Sequence, residues 1–112
     1  VALAAVTGID PAVYENAMVP GGGMYTTTLE ALLRRDHPEL SCERTNRPLR
    51  HAIGHGRGIL FVRSKVRVYH FIAFDEFMLY DINSDGRWMW WADHYCANRR
   101  ALRVWRIPNG QV

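Results

Sequence analysis

Hydrophobic and polar positions change period near the middle of the chain. Before Gly58 the apolar residues come at helical spacing or in short clusters. Val1–Val6 is too short for a helix of its own and reads as the last turns of a buried one, with Gly8 just past its end as the C-cap. Asp10 caps a second short helix that has Pro11 at its first position and carries Val13, Tyr14, Ala17 and Met18. Pro20 and Gly21 to Gly23 then break the chain. In TTTLEALLRRDHPEL, Leu29, Leu32 and Leu33 share one helical face. Thr26 or Thr27 is placed as its N-cap, and Glu30 near N3 suits a capping box. Arg34 and Arg35 suit the negative end of the helix, and Pro38 stops it. Ser41 to Gly58 is polar, rich in Arg and Gly, and reads as loop.

From Gly58 onward the pattern is that of strands. Gly58–Val62 predicts a short buried strand, Arg63–Lys65 a polar turn, and Val66–Phe74 a longer strand of β-branched and aromatic residues. Asp75-Glu76 predicts a hairpin turn, with Phe77–Asp81 returning as the partner strand. Asn83 to Gly86 reads as another turn, Arg87–Trp91 as extended, and Ala101–Ile107 as a final strand with one wet face. Helices first and an antiparallel sheet afterwards make an α+β domain, with N-terminal helices packed on a C-terminal sheet.

Composition narrows this picture without changing it. A chain of 112 residues is one domain, and 48% hydrophobic residues supply a core. The net charge of +3 is too small to argue for nucleic acid as a partner. Cys42 and Cys96 are the only cysteines and are expected to be reduced, which favours a cytoplasmic location. No apolar run approaches the roughly 20 residues of a membrane span. The opening residues are apolar but lack the basic region and the full apolar region of a signal peptide, and a start at Val1 inside a structural segment suggests a trimmed fragment, a processed product or a removed initiator Met.

The candidate chemistry centres on His70 and Asp81. Histidine is an odd choice within an apolar strand, because a buried imidazole demands hydrogen-bond partners. A two-residue turn at Asp75-Glu76 pairs Phe74 with Phe77 and sets His70 directly opposite Asp81. Cross-strand neighbours of that kind have Cβ atoms about 5 Å apart. The carboxylate then fixes the imidazole tautomer and supports its charged form, as a triad orienter does. The alternative is a core histidine satisfied by Asp81, or an Asp81 that only forms the turn.

VALAAVTGID, HFIAFDEFMLYDIN and the closing RALRVWRI, in that order, resemble papain-like cysteine peptidases of the compact bacterial and phage kind, similar to bacteriocin-processing peptidases. The resemblance implies a papain-like fold, a peptide or protein substrate, no cofactor, His70 as general base and Asp81 as its orienter. It also places the nucleophilic Cys, and the oxyanion-hole partner upstream of it, before Val1. Neither Cys42 nor Cys96 matches that position. The chain is then a fragment without its nucleophile or an inactive relative, and a rival reading is a non-catalytic inhibitor or adaptor.

Two further patterns have the beginnings of a metal site. Asp81, Asn83, Asp85 and Gly86 begin a calcium loop, but Ala92 stands where its bidentate acid belongs. His51 and His55 have a zinc-ligand spacing, with His37 and Cys42 or His94 and Cys96 as companions, yet no Cys-x2-Cys pair accompanies them. Neither reading is adopted, and no metal is expected. Trp88, Trp90, Trp91, Arg99 and Arg100 form a candidate binding surface for a protein partner. The opposing expectation is that the tryptophans fill the core while the arginines line a wet face.

Overall fold

The computed structural model describes residues 26–65, 68–81 and 86–107. Helix α1 (Thr26–Asp36) is followed by strand β1 (Ser41–Pro48), the one-turn helix α2 (Leu49–Ala52), and strands β2 (Arg57–Lys65), β3 (Val68–Asp75), β4 (Met78–Tyr80) and β5 (Met89–Trp90). A 3-10 turn (Trp91–Asp93) and strand β6 (Arg100–Arg106) complete the order. The six strands form one sheet in the order β1-β6-β2-β3-β4-β5, antiparallel throughout.

This overturns the expected architecture of N-terminal helices packed on a C-terminal sheet in the papain-like manner. The described residues are mostly sheet, and α1 is their single helix longer than one turn. The expected helical segments at Val1–Val6 and Asp10–Met18 lie outside the described residues. The segment read as loop is in part β1, whose residues pair with β6 from Ser41↔Arg106 to Pro48↔Arg100. It is an edge strand with an irregularity between Arg44 and Arg47. Edges carry charge and bulges that discourage further pairing, so β1 shows no apolar alternation.

Period-2 alternation sorts the strand residues onto two apolar layers. Leu60, Val62, Ile72, Phe74, Leu79 and Val104 face one layer with Leu49, Ala52 and Ile53. Ile59, Phe61, Ala73 and Trp105 face the other, where Leu29 and Leu33 of α1 cover them. The final strand β6 is buried or half-buried on both faces beyond Arg100, because Ala101 and Val104 join one apolar layer and Trp105 the other. Its arginines are accommodated individually. Arg103 pairs with Glu30 at 2.6 Å and lies over the Phe61 ring, and Arg106 lies over Phe74. Glu30 therefore serves a partner 73 residues away and does not close a capping box. Among the described residues no helix is long and apolar enough to cross a membrane.

The β3–β4 turn is made by Glu76-Phe77, with Glu76 at φ 53, and pairs Asp75 with Met78. The loop before β2 braces it: Gly54 N–H donates to the Glu76 carbonyl, and Glu76 N–H donates to that of Gly56. The turn lies one residue later than expected, so the register moves by two. Phe74 pairs with Leu79, and Ala73 with Tyr80.

Candidate active site

A shift of two residues keeps every side chain on its face. Continuing the β3–β4 register sets Ile72 level with Asp81, and His70 one diagonal step along the same side. A diagonal pair is within reach of an imidazole and a carboxylate. His70 Nε2 stands 2.9 Å from Asp81 Oδ2.

A third residue completes the group. His94 Nε2 stands 2.6 Å from the same oxygen of Asp81, and His94 and Asp81 are both buried. His94 follows the 3-10 turn in a segment folded by short-range bonds, His94 N–H to Trp91 O, Ala97 N–H to His94 O, and Arg99 N–H to Cys96 O. This segment brings Cys96 into the layer that holds Ile72 and Leu79.

The bonds assign the protons. Cys96 N–H donates to His94 Nδ1 at 3.0 Å, so that nitrogen carries a lone pair. The neutral imidazole of His94 then carries its proton on Nε2 and donates to Asp81. A carboxylate only accepts, so in the bond between His70 Nε2 and Asp81 Oδ2 the imidazole is the donor. Oδ2 of Asp81 accepts both bonds. No group among the described residues hydrogen-bonds His70 Nδ1, and the His70 side chain is 20% exposed. The site thus offers one imidazole nitrogen, held in direction, with a lone pair and access to solvent.

The same assignment bears on metal chemistry. A ligating imidazole presents a bare nitrogen to the ion and donates from its other one. His94 donates from Nε2 to Asp81, but its bare Nδ1 is occupied by Cys96 N–H and so does not face an ion. Among the described residues no group of three or more His, Cys, Asp or Glu side chains is arranged to hold a metal ion. His51 and His55 are exposed, and Arg50 Nε donates to His51 Nε2 at 3.2 Å. Asn83 and Asp85 of the calcium reading lie outside the described residues.

Tyr95 covers the pair of imidazoles. Its ring stacks on His94 at 4.6 Å and 24°, and tilts toward His70 at 6.1 Å. Cys96 is fully buried in the core layer, and burial pushes its thiol up; a hydrogen bond with Tyr95 pulls the other way, and the Asp81 charge raises it again. Cys42 lies with Glu30 in a cavity of about 470 Å³ on the α1 side, lined also by Leu33, Leu40, Arg44 and Trp105. Burial and the neighbouring Glu30 push its thiol up too. Neither sulfur is a ready thiolate.

The tryptophans and arginines do not form one surface. Trp88 packs in the α1-side layer against Tyr80, while Trp91 packs against the opposite layer. Trp90 is 48% exposed and forms a tilted pair with Phe77 at 5.8 Å. Arg99 is exposed, and Arg100 donates to the Asn46 carbonyl across to β1. His94 was not singled out by sequence as a partner of Asp81, because a loop residue's approach to a distant carboxylate leaves no spacing to read. Comparison of the chain with protein-family models, with curated proteins and with solved structures finds no match.

Proposed function

We propose that this chain carries the base and orienter of a cysteine-peptidase-type site acting on a peptide or isopeptide bond. One observation carries the reading: a buried carboxylate holds Nε2 of a partly exposed histidine and leaves its Nδ1 without a partner among the described residues. In the proposed reaction His70 Nδ1 takes the proton of a thiol, and the thiolate attacks the carbonyl carbon. The imidazolium returns that proton to the leaving amine, and water then hydrolyses the thioester. Asp81 holds the ring and supports its charged form. The thiol is assigned to residues preceding Val1 in the encoded protein, because Cys42 is on the far side of the sheet and Cys96 is fully buried in the apolar core layer.

The test uses the longest chain the gene encodes, incubated with a peptide carrying a thiol-reactive warhead. Labelling at a Cys upstream of Val1, abolished by His70→Ala, is the expected result. Undiminished labelling of His70→Ala excludes His70 as the base.

The exposed Phe77–Trp90 pair favours a second reading, a catalytically silent domain that binds another protein. An encoded start at Val1, with no thiol ahead of it, leaves that reading in place of the first.

A further inference from the structure

We infer that His94 is a positioning residue, which clamps Asp81 and thereby decides which nitrogen of His70 accepts a proton. The inference rests on the proposed role of His70 as the base and adds a residue to that site.

Three observations support it. The His94–Asp81 contact, at 2.6 Å, is shorter than the 2.9 Å contact of His70 with the same oxygen. Its sense is fixed, since Nδ1 receives Cys96 N–H and only Nε2 has a proton to give. And the imidazole is immobile: its side chain is 1% exposed, Tyr95 stacks on one face, and backbone bonds hold the segment on either side.

Asp81 follows the last residue of β4, so its side chain is not held by strand pairing on both sides. The last torsion of an Asp side chain is broad, and the His94 bond restrains it at the same oxygen that His70 uses. It adds a donor to the buried charge without adding a base, because protonating Nδ1 would break the bond from Cys96. His94 acts on Asp81 and Asp81 on His70; His94 has no contact of its own with a reacting atom.

Two substitutions separate the clamp from a general packing role. In His94→Asn the shorter amide has an oxygen near the Nδ1 position to accept Cys96 N–H, but nothing that reaches Asp81. In His94→Gln the longer amide places an N–H donor near the Nε2 position. Nitrogen-15 NMR of the full chain, read above the titration range of imidazole, reports which His70 nitrogen is protonated. The expected result is a single Nε2–H form in wild type and His94→Gln, and mixed forms in His94→Asn. The warhead-labelling rate of the longest encoded chain should fall by about 10²-fold in His94→Asn, the scale expected when a catalytic group is misplaced by an ångström or so. Labelling should return in His94→Gln, with the warhead's initial binding unchanged. Thermal unfolding of each variant shows that it is folded.

An unchanged Nε2–H form in a folded His94→Asn overturns the inference, as does equal behaviour of Asn and Gln. The two readings fail separately. A wild-type chain that never labels, but whose His70 tautomer responds to His94→Asn, keeps the clamp and loses the peptidase. A chain whose labelling needs His70 and ignores His94→Asn keeps the peptidase and loses the clamp.

Discussion

Removing the Asp81 carboxylate should destabilise the fold by at least what its bonds to the two histidines contribute. Asp81→Ala takes the acceptor from both imidazoles at once. The His94 N–H has a side chain 1% exposed, so water does not replace the lost partner. A buried donor left unsatisfied costs about 1–3 kcal/mol. His70 is 20% exposed and regains some hydration. Its loss is nearer the ordinary net value of a hydrogen bond, ~1 kcal/mol. The sum is roughly 3 kcal/mol, and in a domain of 112 residues that lowers Tm by about 10 °C. Asp81→Asn keeps one acceptor oxygen for the imidazoles but loses the charge and puts a donor in place of the other oxygen, so a smaller loss of about 1 kcal/mol is expected. Urea unfolding followed by tryptophan fluorescence measures both variants. A loss below about 0.5 kcal/mol for Asp81→Ala, the range of an ordinary surface substitution, refutes the reasoning. So does an Asn variant as unstable as the Ala variant.

Three further outcomes are expected. Gly58→Ala should destabilise by about 1–3 kcal/mol or more in the same assay, because a Cβ there would run into the Trp105 carbonyl oxygen and stand 2.7 Å from the Phe74 ring. Glu30→Gln should speed alkylation of Cys42 at pH 8, since burial and then the Glu30 charge hold that thiol up, and removing the charge increases the thiolate fraction; an unchanged rate contradicts this. Stability should decline as pH rises beyond the ordinary thiol value of 9.0, because the unfolded Cys96 releases a proton that the buried thiol retains. That contribution is complete below the unfolded value and is lost as pH climbs through the raised folded one. Cys96→Ala should flatten part of the alkaline decline, seen as a smaller loss of Tm between pH 8 and 10.

The approach of His70 to Asp81 was legible in sequence for a reason that tolerates error. Strand side chains alternate with period two, so a hairpin register wrong by two residues still leaves both groups on one face. The apolar runs of β2 and β3 were legible likewise, since strands buried on both sides carry little polar interruption. The rest depends on relations between distant segments. β1 is an edge strand whose charged residues resemble a loop, and its identity follows from pairing with β6, more than 50 residues further on. Ala101–Ile107 alternates as a half-exposed strand would, yet apolar layers pack on both its faces, and Glu30 and the rings of Phe61 and Phe74 accommodate its arginines. Trp88 and Trp91 flank the two-residue strand β5 and part to opposite layers, a separation that depends on the turn after β5 and leaves no periodic signal. His94 reaches Asp81 through an irregular segment, and irregular segments have no period.

Locating the protons directly tests the central claim, that His70 is a base at Nδ1 because Asp81 holds its Nε2. Neutron diffraction from deuterium-exchanged crystals at pH 8 would show them. The account predicts deuterium on Nε2 of both His70 and His94, each directed at Asp81 Oδ2, and none on either Nδ1. Deuterium on His70 Nδ1 with Nε2 bare, or on the Asp81 carboxyl itself, would contradict it.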